Sequence, residues 1–459
     1  MKPKRRQVRL QKRRRSVRSA VRKAKPSEYP AGLEAGYNEG LRSGYESFGN
    51  LFEGTSIIIP SYNQVDYLKQ CIDSIGDHTR LLYEIIVVDN ASTDGTADYL
   101  KKISSQVRYR VLETNRGFAG AINIGMMMAK GTTLLLLNND TIVTKRWLEN
   151  MLDCLNSDPL IGMVGPVTNY ISGDQRIEVP YKNVADMPAF AQHFNIPDPA
   201  KWQRTDRLTG FCLLLRRELW ERTGFMDEGF KVGNYEDDDY NIRVRLQGYS
   251  LVIARDTFIH HYGSVSMKAL GEKLTEVNNH NMHVYMDKWG NPHELIHNVK
   301  EKAAKRAAMG EESGQPQPLG ETAFFPQNVV IRGVGETPFW VQGGIRRPVT
   351  GELALPVIRL SQIDLRRWPL GDTVTAEEVG AHWHGQGGAM GQSGGLPAIG
   401  TDGVCYVVEQ GMRRKAASKA ALEAWGLHLK PIGLISDDQM SSLPEGLPII
   451  APVRVSANL

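Results

Sequence analysis

From Thr55 onward, short apolar runs alternate with amphipathic stretches. Ile57-Ile58-Ile59, closed by Pro60, has the pattern of a buried strand. Asn63 is placed to cap a following helix, in which Val65, Leu68, Cys71, Ile72 and Ile75 recur at helical spacing. Residues 84–88 form the next strand pattern. They meet the turn-rich run Asp89-Asn90-Ala91-Ser92-Thr93-Asp94-Gly95, which opens a second helix through Leu100 and Ile103. Residues 108–112 read as a third strand, and Phe118, Ala121, Ile122, Gly125, Met126 and Ala129 line one face of a third helix. A fourth strand, 134–137, runs into Asn138-Asn139-Asp140. This alternation predicts an α/β domain with a parallel, doubly wound sheet. Ligands in such sheets sit beyond the carboxyl ends of the strands. Residues 60–63, 89–94 and 138–140 all follow strand ends, so the topology predicts that these polar clusters converge. Strand and helix patterns continue to about residue 295.

The flanks read differently. Residues 1–30 hold thirteen Lys/Arg and one acid, a net of +12, while the other residues carry a net of −8. Such a segment is too charged and too poor in apolar residues to fold alone, and is expected to be a disordered basic arm. Arms of this kind bind an anionic membrane surface or nucleic acid, or act only as a solvated tail. A short, Gly-weakened helix is expected to lead in, giving a first region of 1–53. The α/β domain is expected over 54–298. A Lys-rich then Gly/Gln/Pro-rich linker follows over 299–325. Residues 326–459 show a degenerate two-fold repeat. Phe339-Trp340-Val341-Gln342-Gly343-Gly344-Ile345-Arg346-Arg347 aligns with Tyr406-Val407-Val408-Glu409-Gln410-Gly411-Met412-Arg413-Arg414. Further on, Pro369-Leu370-Gly371 aligns with Pro444-Glu445-Gly446. Each copy suggests a hairpin whose turn carries Gly and Arg-Arg. No catalytic constellation is visible there. His382-Trp383-His384 lacks further ligands, and the glycines of 385–395 lack the Lys and Ser/Thr of a phosphate loop.

Composition narrows the classes. The 459 residues are 41% hydrophobic and 23% charged, as in globular proteins. The four cysteines, Cys71, Cys154, Cys212 and Cys405, show no paired spacing, which excludes a disulfide framework or zinc knuckle and points to a reducing compartment. No apolar run approaches the ~18 residues of a membrane span. The basic N-terminus is not followed by the apolar stretch of a secretory signal. A cytoplasmic location, peripheral at the inner face of the membrane, is therefore expected.

Eight motifs carry the chemistry. They are Ile59-Pro60-Ser61-Tyr62-Asn63; Val87-Val88-Asp89-Asn90 through Gly95; Asn115-Arg116-Gly117-Phe118 with Asn123 and Gly125; and Leu137-Asn138-Asn139-Asp140. Thr209-Gly210-Phe211, Phe225-Met226-Asp227-Glu228, Tyr235-Glu236-Asp237-Asp238-Asp239 and His260-His261-Tyr262-Gly263 follow, the last continuing through Ser264-Val265-Ser266. In this order they resemble family 2 glycosyltransferases of the GT-A fold, particularly the rhamnosyltransferase-like branch, over roughly residues 55–290. The resemblance implies a Rossmann-like, mostly parallel sheet flanked by helices, and inverting transfer of a sugar from a nucleotide-diphosphate sugar.

A carboxylate at a strand end can accept hydrogen bonds from a uracil N3–H or ribose hydroxyls, a role the resemblance implies for Asp89. It places Pro60, Tyr62, Asn63, Asn115, Gly117 and Asn139 around the same nucleotide-sugar. Residues 89–94 taken alone also suit a helix-capping turn, since Asp, Ser and Thr all cap well. Asp140 occupies the end of the family's metal motif, with His260 implied as the second ligand to Mg²⁺ or Mn²⁺ and the His260-His261 doublet leaving the choice open. The family's first Asp is replaced here by Asn138, which adds no charge. Asp237 is implied as the general base, at a helix N-terminus that favours carboxylates. Glu236 and Asp239 are implied for acceptor binding or loop ordering. Trp289, in Lys288-Trp289-Gly290, offers a ring to stack on a sugar or to pack in a core.

The reading is thus a metal-dependent transferase acting on a UDP-sugar, with dTDP-rhamnose the rival donor, and on a glycan, lipid-linked or other cell-surface acceptor. Two other classes stay open. A nucleotidyltransferase shares such sheets, but residues 60–63 are not its Gly/Arg/Lys-rich loop. A carbohydrate-binding protein with a decayed transferase domain is left open by Asn138 and opposed by Asp140 and Asp237.

Overall fold

The computed structural model describes residues 49–263, 271, 273–308, 318–384, 395–400, 403–432, 436–457 and 459. The basic arm, the lead-in helix expected before residue 49, the serines of 264–266, and the Gly-rich stretches of 309–317 and 385–394 lie outside these residues.

The chain enters the sheet at β1 (Phe52–Ser61), then runs through α1 (Val65–His78), β2 (Tyr83–Asp89), α2 (Thr96–Lys102), β3 (Arg108–Val111), α3 (Gly117–Met128) and β4 (Gly131–Leu137). β5 (Thr141–Ile142), α4 (Trp147–Asn156), β6 (Ile161–Val167), α5 (Met187–Phe194), β7 (Trp202–Thr205), β8 (Cys212–Arg216) and α6 (Arg217–Thr223) follow. The order of the eight-stranded sheet is β3-β2-β1-β4-β8-β6-β9-β7, with β9 at Ser250–Phe258. β1 pairs in parallel with both β2 and β4, and β2 with β3. The expected parallel half is therefore present. β8 enters antiparallel between β4 and β6, and β7 closes the far edge antiparallel to β9, so the sheet is mixed but mostly parallel.

Both faces of this sheet are covered, which explains its unbroken apolar runs. Ile58, Ile86, Val88, Leu134 and Leu136 point into one layer with Ile122 and Met126 of α3. Ile57, Ile59, Val87, Leu135 and Leu137 point into the other, with Leu68, Cys71 and Ile75 of α1. The period of two along each strand sorts these side chains between layers. Cys71, Cys154, Cys212 and Cys405 are free thiols.

Beyond α6 come α7 (Glu236–Leu246), β10 (His260–His261), α8 (Lys273–Trp289) and α9 (Pro292–Ala308). The beginning of the expected linker is corrected here: residues 299–308 continue α9, because Ile296 and Val299 bury one face of that helix. β11 (Val329–Arg332), β12 (Phe339–Gln342), β13 (Ile345–Thr350), β14 (Val357–Arg359) and β15 (Val374–Thr375) form a five-stranded sheet. β16 (Leu396–Ile399), β17 (Cys405–Glu409) and β18 (Met412–Lys415) form a three-stranded one. The stretches aligned in sequence are the hairpins β12–β13 and β17–β18. In each copy a Ser-capped helix follows, at Ser361 and Ser436, and the hairpin's first Arg bridges to Leu370 or Glu445. Ile242 and Leu246 of α7 share one apolar cluster with Trp289, Phe324, Trp425, Ile449 and Ile450. No helix among the described residues is long and apolar enough to cross a membrane.

Candidate active site

The carboxyl ends of β1, β2 and β4 open on a cavity of about 840 Å³. Pro60, Tyr62, Asn63, Asn90, Asn115 and residues 138–140 line one side, and Arg207, Gly210 and residues 232–238 the other.

The first side is knitted by short polar side chains. Asn63 does not cap α1 as expected; it sits at φ 54°, in the left-handed region, where Asn is better tolerated than most residues. Its N–H donates to Ser92 Oγ (2.7 Å) and its Oδ1 accepts from the Thr93 N–H (2.8 Å). Asp94 caps both neighbouring helices instead, its Oδ2 accepting from the Val65 N–H and its Oδ1 from Thr96. Asp89 is fully buried; its Oδ1 accepts from the Ser92 N–H, while its Oδ2 has no hydrogen-bond partner. Asn90, not Asp89, reaches the cavity wall, bonding the Gly117 carbonyl and the Arg116 N–H. Asn115 Oδ1 accepts from the Gly117 N–H, and Gly117 itself, at φ 71°, lies behind the lining next to Val232. Asn139 donates to Ser61 Oγ.

At the cavity floor, His261 replaces His260 as the partner of Asp140. β10 pairs antiparallel with β5, so its two adjacent side chains point to opposite faces. His261 Nε2 lies 3.1 Å from Asp140 Oδ1, and its ring stacks on Phe211. His260 faces away, bonding the Tyr181 hydroxyl at 2.7 Å, and burial lowers its pKa to about 4. His261 Nδ1 is 2.8 Å from the Tyr170 carbonyl, which only an N–H can satisfy. In the neutral ring, the Nε2 lone pair is thereby left facing a carboxylate oxygen, an arrangement that suits a cation. Asn138 Oδ1 is buried and without a partner. Among the described residues no group of three or more His, Cys, Asp and Glu forms a ready-made metal cluster.

On the other side, α7 begins with four acids that meet different fates. Asp237 Oδ2 accepts from the Gly210 N–H at 2.8 Å; a Cβ on Gly210 would lie 3.3 Å from that of Asp237, so the motif's glycine permits the close approach. Burial and the neighbouring Asp238 push the Asp237 carboxyl up to about 6, against the pull of Arg207. Arg207 is held by both oxygens of Asp238. Burial, then Asp237, raises Glu236 well above the usual carboxylate range, and its Oε2 is unpartnered. Asp239 and Trp289, expected at the acceptor, are internal. Asp239 Oδ1 accepts from Trp289 Nε1 (2.8 Å) and pairs with Lys288 Nζ (2.6 Å), and both residues are essentially inaccessible. A charge at the fourth helical position turned inward needs such partners, and the Lys288-Trp289 pair supplies them.

Residues 56–223 match the sequence profile described as glycosyl transferase family 2. Over this segment the chain is similar to glycosyl transferase family 2. The family 2 segment covers the strand ends and Asp140, and stops before α7. Over 101 residues the chain is 38% identical to a putative teichuronic acid biosynthesis glycosyltransferase of Bacillus subtilis, covering 21% of this chain and 40% of that protein. Over 230 residues it is 30% identical to an O-antigen biosynthesis protein of Myxococcus xanthus, covering 47% of this chain and 18% of that one. An uncharacterised protein of Sinorhizobium fredii is 29% identical over 234 residues, 47% of this chain and 25% of its own length. The chain thus spans less than half the length of these three relatives. Among solved structures, a mannosyltransferase of Pyrobaculum calidifontis in complex with GDP-Man and Mn²⁺ matches 63% of this chain and 86% of its own, at 18% identity and a TM-score of 0.39.

Arg207 is a site residue outside the sequence motifs, whereas Asn90, Gly210 and His261 lie within them, the first two without an assigned role. Strand alternation through β5 and β10 is the signal that separates the two histidines; Arg207 has no local signature.

Proposed function

We propose that this chain transfers a sugar from a nucleotide-diphosphate sugar to a hydroxyl of a glycan or cell-surface acceptor, with inversion at the anomeric carbon. The observation that carries the reading is a buried carboxylate, Asp237, of near-neutral pKa, on the wall of one cavity with Asp140 and His261. Asp237 accepts the proton of the acceptor hydroxyl as that oxygen attacks the anomeric carbon. The carbon–oxygen bond to the diphosphate breaks on the opposite face, and its electron pair leaves with the nucleoside diphosphate. Asn90 and Asn115, on the cavity wall, are suited to the base and ribose, with Asp89 buried behind them and Pro60, Tyr62, Asn63, Gly117 and Asn139 shaping that edge.

The charge of the cavity supports a divalent cation. Its lining holds Asp140, Glu236, Asp237 and Asp238 against one guanidinium, Arg207, which is already paired. A diphosphate added to these carboxylates needs positive charge that the side chains do not supply. Asp140 and His261, with Asn138 lining the same cavity, would hold Mg²⁺ or Mn²⁺, which would neutralise the departing diphosphate. A UDP-sugar is the favoured donor and dTDP-rhamnose its rival. The relatives named for teichuronic acid and O-antigen biosynthesis support a surface polysaccharide as acceptor. The basic arm would hold the chain at an anionic surface.

The test is nucleotide release from UDP-, dTDP- and GDP-sugars with Mn²⁺ or Mg²⁺, in wild type and Asp237→Asn. Release from one donor class, lost on chelation and in the variant, is the expected result. Absence of both release and nucleotide binding for every donor would overturn the reading.

A further inference from the structure

The loop between α6 and α7 lies beyond the family 2 segment, yet its residues 232–235 form cavity wall. That wall is held in a costly conformation. Val232, Asn234 and Tyr235 adopt φ of 62°, 78° and 74°, a region β-branched and bulky residues rarely enter. Such conformations persist only where the surroundings over-determine them. At the tip, the Phe118 N–H donates to the Val232 carbonyl at 2.6 Å. Asn281 of α8 bonds the carbonyls of Lys231, Gly233 and Asn234.

The base of the loop is held by residues from the far end of the sequence. The Arg454 N–H donates to Asp227 Oδ1 (3.1 Å), and the Glu228 N–H donates to the Arg454 carbonyl (2.8 Å). The Ser456 N–H donates to Glu228 Oε2 (3.1 Å) across 228 positions of sequence. Glu228 Oε1 accepts from Asn123 of α3, and Arg116, at the start of α3, donates to Ser456 Oγ. The segment is anchored at both ends: Ile449 and Ile450 belong to the C-terminal apolar cluster, while Leu459 belongs to the cluster beneath the main sheet, with Val455 against it. Arg359 bonds the Ala457 and Leu459 carbonyls.

We propose that residues 451–457 form a strap that sets the seam between the two walls of the cavity, with Ser456 and Glu228 as positioning residues that fix the 227–235 loop of the base-side wall against Arg116 and Gly117 at the nucleotide edge. The inference rests on the reading of the cavity as a nucleotide-sugar site. The strap touches no donor atom; it acts by holding the two loops that do, so donor affinity depends on the C-terminal module.

The test compares full-length wild type, Ser456→Pro and Ser456→Ala by nucleotide calorimetry and by donor KM and kcat, with thermal midpoints alongside. Ser456→Pro deletes the N–H that Glu228 accepts and is expected to raise donor Kd and KM about tenfold, the scale of one hydrogen bond to a charged group, with kcat changed less than about twofold. Ser456→Ala keeps that N–H and is expected to raise them about twofold. Unchanged donor KM in Ser456→Pro, or a lowered thermal midpoint with donor KM unmoved, would overturn the strap. Failure of wild type to bind any nucleotide or nucleotide-sugar would instead refute the underlying functional reading.

Discussion

The nucleotide-side wall of the cavity is held by hydrogen bonds among short polar side chains of neighbouring loops, whereas the base-side wall is held by buried ion pairs whose partners come from far along the chain. Asn63, Ser92, Thr93 and Asp94 settle one another's backbone groups within about thirty positions. Across the cavity, Lys288 sits between Asp227 and Asp239, at 2.6 Å from each, and Arg243 of α7 binds Glu321 and the Thr223 and Phe225 carbonyls. Burial opposes the charge on Lys288, but the two carboxylates hold its pKa above the ordinary value. A loop held by largely exposed hydrogen bonds loses little when one goes, because water can replace the partner. A wall held by buried ions fails as a unit, because each ion left unpaired carries its full desolvation cost.

The largest expected effect lies at the base itself. Asp237→Asn should lower kcat by about 10²–10⁴-fold while leaving nucleotide affinity nearly unchanged, as read by single-turnover assay and calorimetry. In wild type the ionised carboxylate is the active form, so kcat should fall about tenfold per pH unit below about 6. Stability runs the other way. The raised folded pKa means that the protonated carboxyl's contribution is complete below the unfolded value of about 3.9 and is lost as pH rises through about 6. A flat kcat profile between pH 5 and 7 would remove Asp237 from the base role.

Next in size, Lys288→Met should cost about 3–5 kcal/mol of unfolding free energy by leaving Asp227 and Asp239 buried without their cation. A loss below about 1 kcal/mol in denaturant titration would mean that the ions do not hold that wall. The histidine pair gives a sharper but smaller contrast. His261→Ala should weaken metal activation about 10–100-fold, and His260→Ala should leave it near wild type, by titration of release rate against Mn²⁺. Equal effects would refute the assignment to His261. Smallest of all, Asn63→Ala should cost about 1 kcal/mol, since it removes one acceptor from an exposed N–H and places Ala at a positive φ.

The same contrast governs what was legible in the sequence. The strand runs at 57–59 and 134–137 and the strand-end clusters were readable because the period, the terminators and the hydrogen-bond partners lie close together. Asp94 capping two helices is a variant of that local logic, although the sequence pattern points to Asn63 as the cap. His260 was preferred over His261 because a doublet carries no facing information until β5 is known to pair with β10. Asp239 and Trp289 resembled acceptor contacts because an acid and an indole look alike in sequence whether they face a sugar or each other. Their burial depends on Lys288 and Arg243, and on a core shared with residues 324–450, which no window around α7 contains.

The ion pair between Arg243 and Glu321 also carries a consequence for biosynthesis. At about 5–20 residues per second, the ribosome takes about 4–16 s to add the 78 positions that separate the two residues. Throughout that interval the parallel strands have emerged and can condense, while the helix bearing Asp237 awaits its counter-charge. A nascent chain would therefore hold a condensed sheet before a working base, so that a stalled or prematurely released product would be inactive in transfer.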